Sequence, residues 1–361
     1  MKKVAIIGAG ALGIVSAIML KDEFKVTLIE KNNKLGKKIL ASGNGKCNFS
    51  NISDITGKYN NEFATNIVKQ FTSKETLGFF SDLGLVYKID EENRVYPLSE
   101  SSISVLDVLK THLKGVRILL DSKVNRLVLN DKSVEVFYND TIEEFDYVIC
   151  ASGSKASNLG SDYAYSYLKS IDVKISELKS SLSPVVIKED IKSLSGVRCK
   201  CLVSLYKDNK RIYKEAGEVL FKDDSLSGIV IFNIVSMMNR DKGNYKISLD
   251  LTNGAINFND QLDLTGVVHP KMKEYLESKG LRDIKNLEFN VVGLPKEDSA
   301  QVISGGVEIS ELNDDLSLKK DNRIYLGGEL IDCDGLCGGY NLQFAFSCAK
   351  VIREAIRKAN Q

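Results

Sequence analysis

Apolar and polar positions follow two different periods along this chain. The opening stretch, KKVAIIGAGALGIVSAIMLKDEFKVTLIEK, has an unbroken apolar run from Val4 to Ile7, then glycines, a mostly apolar segment to Leu20, and a second short run ending at Glu30. A run without polar interruption predicts a strand buried on both faces, as in a parallel sheet covered by helices. Strand, helix, strand in this order predicts a doubly wound α/β domain. Further on, VRILLDSKVNRLVLNDKSVEVFYNDTIEEFDYVI alternates with a period of two and predicts a short antiparallel meander. FDYVICASGS, Phe145 to Ser154, predicts an apolar strand ending in a turn of small residues. VLDVLKTHLKG has the spacing of an amphipathic helix.

From about residue 186 the pattern changes. VRCKCLVSLYKDNKRIYKEAGEVLF alternates apolar and polar residues, with KDN as the turn between two strands. IVIFNIVSMM and YKISLDL are further apolar stretches, and VISGGVEISEL, Val302 to Leu312, leads back to the first pattern. RIYLGGELIDCDGLCGGYNLQFAF then predicts strand, loop and a helix beginning near Asn341. The expected division is a nucleotide-binding domain over 1–185 plus 321–361, interrupted by an insertion over 186–320.

Gly8, Gly10 and Gly13 have G-x-G-x-x-G spacing between the first strand and helix. Gly8 permits a tight turn, Gly10 lets a pyrophosphate approach the backbone, and Gly13 lets helix pack on strand. Ala11 and Leu12 then open a helix whose free N–H groups and dipole favour an anion. Glu30, 17 residues after Gly13, can accept hydrogen bonds from a ribose diol and would repel a 2′-phosphate. The following segment, KLGKKILASGNGKCNFSN, is rich in glycine, lysine and small polar residues, where an NAD unit would proceed to another helix. A longer cofactor needs such donors along its diphosphate and ribityl chain, which favours FAD. It is not a Walker A loop, because Lys46 is followed by Cys47 and no glycine stands five residues before Gly45.

Composition narrows the classes. The chain has 361 residues, 43% hydrophobic and 27% charged, with a net charge of +1. That is ordinary globular composition, with no basic field for a phosphate backbone, so a small-molecule substrate is expected rather than nucleic acid. Seven scattered cysteines suit a reduced cytoplasmic protein better than a disulfide framework. The uncharged stretch Val4 to Leu20 superficially resembles a signal peptide, but only the strand–turn–helix reading explains its glycines. No other stretch is long enough to span a membrane. His112 and His269 are the only histidines and lie far apart, which argues against zinc. No G-x-S-x-G elbow is present.

GKKILASGNGKCN, NRVYPLSESSISVLDVL, VISGGVEISELN and IYLGGELIDCDGLCGGYNLQFAFSCA together resemble the BaiN/YhiN-type FAD-dependent oxidoreductases, in order and over nearly the whole chain. The resemblance implies a glutathione-reductase-like FAD fold with an inserted barrel-like domain and a small helical part. It implies FAD bound at Gly8, Gly10, Ala11, Leu12, Gly13, Glu30, Lys31, Lys38, Ser42, Gly43, Gly45, Cys47, Asn48, Val124, Ala151, Ser152, Gly153, Gly328, Glu329, Asp332, Gly339, Tyr340 and Asn341. The flavin ring is expected between the two domains, with hydride passing through its N5 to or from a small or medium organic substrate. The resemblance suggests reduction of a conjugated C=C bond or oxidation of an amine or hydroxy compound, with a flavin-binding sensor or scaffold without turnover as the alternative. The chain departs from the family at Lys46, where arginine is usual, at Ser152 and Cys337, where threonine is, and in FKDDSLSGIVIF, which lacks histidine.

Lys46 and Tyr340 are the candidate catalytic residues. A cation near the flavin favours the reduced anionic ring, and a tyrosine can donate a proton or pack on the ring. Arg94, Tyr96 and Ser99 form a polar–aromatic cluster that can face substrate, or cap the next helix through Ser99 or Ser101. Cys199 and Cys201 read as small residues facing a barrel core. Cys47 reads as a packed thiol, or as a nucleophile. Cys333 and Cys337 read as tolerant positions of a bend. No second G-x-G-x-x-G follows a strand, so NAD(P)H is expected at most as a transient reductant.

Overall fold

The computed structural model describes residues 1–156, 163–255, 263–294 and 300–361. The chain forms two compact units, Met1–Leu178 with Gly305–Gln361, and Lys179–Ser304.

In the first unit, β1 (Lys3–Ile7) and β2 (Lys25–Ile29) lie parallel and in register, joined by helix α1 (Ala11–Leu20). Val4, Ala5 and Ile6 are fully buried, as an unbroken apolar run requires. The six-stranded sheet runs Ser317–Leu318, Asp321–Leu326, Tyr147–Cys150, β1, β2, Arg117–Leu119. Its pairings are parallel except at the edge strand Ser317–Leu318. The carboxyl ends of β1, Tyr147–Cys150 and Asp321–Leu326 run into Gly8, Ala151 and Gly327, the end of the sheet where doubly wound folds hold ligands. The C-terminal helix Tyr340–Ala359 packs against α1. Among the described residues, no helix is long and apolar enough to cross a membrane.

Two expectations shift. The meander is present as Val124–Leu129, Val134–Tyr138 and Thr141–Phe145, but Arg117–Leu119 leaves it for the parallel sheet, pairing with β2. A three-residue strand is too short for alternation to assign it. The insertion spans Lys179–Ser304 rather than 186–320. Lys179–Ser181 pairs with Val302–Ser304, closing the second unit at its neck. Residues after Gly305 return to the first unit through hydrogen bonds of Val307 with Leu330 and Asp332, and through the edge strand.

A small sheet, β3 (Ser50–Asn51), β4 (Tyr87–Ile89) and β5 (Arg94–Pro97), has the order β3–β5–β4.

The second unit is a closed antiparallel barrel of Val185–Ile187, Ser225–Ser227, Lys210–Phe221, Arg198–Lys207, Tyr245–Asp250 and Leu287–Gly293. The long hairpin turns at Asp208 and Asn209, both at positive φ, as a tight two-residue turn requires. IVIFNIVSMM is a helix, Ile229–Met238, entered through Gly228 at φ +116°. It packs on the barrel strand at Gly217, where a Cβ would meet Val230 Cβ at 2.9 Å. Pro270–Ser278 is the small helical part, with His269 as its N-cap accepting from Lys271 N.

Candidate active site

The three glycines of the first turn do different work. A Cβ on Gly13 would lie 1.9 Å from Gly8 O, and one on Gly8 would lie 2.5 Å from Ala151 O. Both are demanded by the chain's own packing. A Cβ on Gly10 would meet nothing within 4 Å among the described residues, so the chain's own packing does not demand this glycine. Gly10 is also the N-cap of α1, with no side-chain cap and no acid in the first turn. The first N–H groups of Ala11 and Leu12 are thus left for an anion.

Glu30 is buried at the end of β2. Its Oε2 accepts from Ala9 N at 2.8 Å, and its Oε1 accepts from Asn32 N at 2.8 Å and Asn32 Nδ2 at 2.6 Å. The carboxylate is thereby fixed beside the glycine turn. Burial lowers the pKa of neighbouring Lys31, whose ammonium lies 5.0 Å from the Tyr163 ring centre. Lys38 Nζ reaches Glu329 Oε2 at 2.6 Å and Ser154 O at 2.8 Å, so it ties together three separate segments. Gly153, at φ +69°, lies under this pair, with its missing Cβ 3.6 Å from Lys38 Nζ.

The loop from Ser42 to Asn48 folds on itself. Cys47 N donates to Ser42 O, and Gly43, Asn44, Gly45 and Cys47 all have positive φ. Cys47 is fully buried, and burial pushes its thiol up to about 11. That describes a packed thiol, since the nucleophile would have to be the thiolate. Asn48 leads from this loop to the second helix N-terminus. Gly339, at φ +99°, is the N-cap of Tyr340–Ala359, and its missing Cβ would stand 2.4 Å from Ser50 O and 2.7 Å from Asn48 Oδ1. Ser50 Oγ donates to Gln343 Oε1 at 2.6 Å, while Gln343 Nε2 donates to Phe71 O, Thr76 Oγ1 and Ser347 Oγ. Asn51 Nδ2 donates to Gly338 O at 3.0 Å. Asn341 closes the bend by bonding both N and O of Gly335.

Several expected residues take other partners. Tyr340 is buried, its ring edge-on to Tyr59 at 6.0 Å and its hydroxyl bonded to Ser53. Lys46 is exposed and forms a surface pair with Glu100, which also binds Lys88. The Val124 amide donates to Tyr163 Oη at 2.8 Å. The Ser152 hydroxyl binds Ala164 O and meets Tyr167 Oη. Asp332 accepts from Gly305 N and Ser176 Oγ, holding the returning chain. Gly328 N donates to Cys348 Sγ, and Cys333 is buried beside Asn61. Ser99 Oγ donates to Ser104 Oγ, and Ser101 is the N-cap of the next helix without a side-chain bond. His112 caps that helix's end, its Nδ1 2.9 Å from Val108 O. Among the described residues, no group of three or more His, Cys, Asp or Glu side chains can hold a metal ion.

Sequence reasoning missed Asn32, Asn51, Ser154, Tyr163 and Tyr165. Two buried polar atoms without a partner among the described residues are Asn48 Oδ1 and Tyr165 Oη. Tyr165 feels the charges of Glu329 and Asp332, and burial raises its pKa. A buried polar atom without a partner calls for an explanation, and a bound molecule is one. The open Gly10, the α1 start without a side-chain cap, the fixed Glu30 carboxylate and these two atoms are a set of groups compatible with FAD.

The family called HI0933-like protein Rossmann domain matches residues 2–354. The chain belongs to this family, the BaiN/YhiN-type FAD-dependent oxidoreductases. It is 32% identical to the 3-dehydro-bile acid delta(4,6)-reductase of Clostridium scindens, over 96% of this chain and 97% of that protein. It is 24% identical to the ribosomal RNA dihydrouridine synthase of Haemophilus influenzae, over 95% of this chain and 96% of that protein. Among solved structures, an open flavocytochrome c3 fumarate reductase shares the fold at TM-score 0.53 and 15% identity, over 99% of this chain and 78% of that one. The HI0933-like chain is thus an FAD-dependent oxidoreductase by family.

Proposed function

We propose that this protein reduces a carbon–carbon double bond conjugated to a carbonyl in a small or medium organic molecule, using FAD and a transiently bound NAD(P)H. FAD, when bound, supplies hydride transfer. The chain's residues supply the holding and the field. The N–H groups at Gly10, Ala11 and Leu12 take the diphosphate, and Glu30 takes the adenosine ribose. Lys38, pinned by Glu329 and Ser154, fixes the end of the sheet near the ribityl chain. The N-terminus of Tyr340–Ala359 would present positive dipole to a flavin held at the Gly339 bend and so favour the charge that reduction adds.

The observation that carries the reading is the pair of buried atoms without a partner among the described residues, Asn48 Oδ1 beside Gly339 and Tyr165 Oη within the field of Glu329 and Asp332. The activities named for two relatives support the reaction class. A delta(4,6)-reductase of a 3-dehydro-bile acid and a dihydrouridine synthase both saturate a C=C bond. The second name favours a ribosomal RNA substrate as an alternative, against which the near-balanced charge of +1 argues.

Anaerobic mixing with NADH and NADPH, followed by reoxidation with enones or with unmodified ribosomal RNA, tests this. Loss of flavin absorbance with nicotinamide and its return with an enone supports the reading. Return with RNA alone replaces the substrate. In a separate run in air, release of hydrogen peroxide with an amine or hydroxy compound replaces it by an oxidase, and purified protein that takes up no flavin overturns it.

A further inference from the structure

We propose that Arg94 and Tyr96 form the carbonyl-binding wall of the substrate site, with Tyr96 as the proton donor to the α-carbon of a bound enone. This rests on the double-bond-reductase reading above and names the chain's own residues for it.

Alternation along β5 separates two faces. Val95 and Pro97 are buried, while Arg94 and Tyr96 lie half-buried on the opposite face. Register places Asn51 across from Arg94 and Lys88 across from Tyr96. Asn51 is the residue that holds Gly338 O, so this face borders the Gly338–Gly339 bend. Tyr96 feels the charges of Arg94, Asp90, Glu92 and Cys337, the last of these in the bend itself. The sheet therefore sets a tyrosine and a guanidinium beside the helix N-terminus assigned to the ring.

Both groups are prepared for a ligand. The Tyr96 hydroxyl makes no hydrogen bond among the described residues. Arg94 is held on one side only: Nε donates to Asp90 Oδ2 at 2.8 Å and Nη1 lies 3.0 Å from Glu92 Oε2. Asp90 is itself fixed by the amides of Glu92 and Arg94. The Nη2 edge of a rigid fork is left over, suited to a carbonyl oxygen that gains negative charge. Burial raises the Tyr96 pKa and keeps the hydroxyl protonated near neutral pH, as a donor must be.

The step balances. FAD, when bound and reduced, would supply the hydride that forms a C–H bond at the β-carbon while the C=C π bond breaks. Its electron pair moves toward the carbonyl oxygen, where Arg94 Nη2 donates. The α-carbon then takes the Tyr96 Oη proton, and the tyrosinate regains one from water. The substrate gains two hydrogens, the flavin would be left oxidised, and a reduced nicotinamide would then re-reduce it.

The test is single-turnover reoxidation of dithionite-reduced holoenzyme by cyclohexenone and by progesterone. In Tyr96→Phe, reoxidation is expected to slow by about 10²-fold or more, with FAD content and reduction by NAD(P)H unchanged and the solvent isotope effect on reoxidation altered. Arg94→Gln is expected to raise the enone concentration for half-maximal rate. If wild-type and Tyr96→Phe proteins reoxidise at the same rate, the proposal falls while the reductase reading stands. If neither enone reoxidises the wild-type flavin, the reductase reading falls and takes the proposal with it.

Discussion

The two glycine-led helix starts of the first unit look alike in sequence and are built on opposite terms. At α1, a Cβ on the N-cap Gly10 would meet nothing, whereas one on the N-cap Gly339 would be 2.4 Å from Ser50 O. The first opening is clear of protein among the described residues, with Gly8 and Gly13 forced by neighbours a few residues away or on the adjacent strand. The second is closed around protein: β3 presses on Gly339, Asn51 grips Gly338, and Gln343 ties the helix to β3. One site is read from local spacing, the other from contacts nearly three hundred residues apart in the chain.

Substitutions can break that contrast. The largest effect is expected from Gly13→Ala, whose Cβ would stand 1.9 Å from Gly8 O. Overpacking against backbone should cost about 3 kcal/mol or more, read as a fall in the urea midpoint or failure to fold. Gln343→Leu should follow, at about 1–3 kcal/mol for each buried group left unsatisfied at Ser50, Thr76 or Phe71. Gly10→Ala should leave stability within about 0.5 kcal/mol yet weaken FAD binding at least about tenfold, seen by flavin titration. If instead it unfolds the protein, Gly10 is a packing glycine and the contrast fails. Lys46→Ala, at an exposed pair with Glu100, should change stability by less than about 1 kcal/mol.

A pH series sharpens the same comparison, because buried thiols lie along both starts. Cys47 is pushed up to about 11, and Cys150 and Cys348 to about 12, from the ordinary 9.0, each chiefly by burial. Their folded pKa values lie above the unfolded ones, so unfolding releases protons in alkali. Stability from these groups is complete below pH 9 and should fall as pH rises toward 12. Urea midpoints across that window check the sign.

The sequence by itself determined the first opening. Val4–Ile7, the glycine spacing and Glu30 all sit within one βαβ unit, where a strand, a turn and a helix leave few geometries. It also marked the barrel hairpin, because Asp208 and Asn209 suit a tight turn between alternating strands. Tertiary structure decided the rest. Arg117–Leu119 is too short for a period to assign it, and only pairing with β2 sets its sheet. IVIFNIVSMM is apolar on nearly every side, so only its packing over Gly217 makes it a helix. Tyr165 carries no local signal, since its meaning is an unpartnered hydroxyl near Glu329 and Asp332. Tyr96 and Arg94 gain theirs because β5 pairs with β3, which holds the Gly338 bend. A local pattern records what neighbours in the chain demand. What a residue does in the site depends on partners that only the folded chain brings beside it.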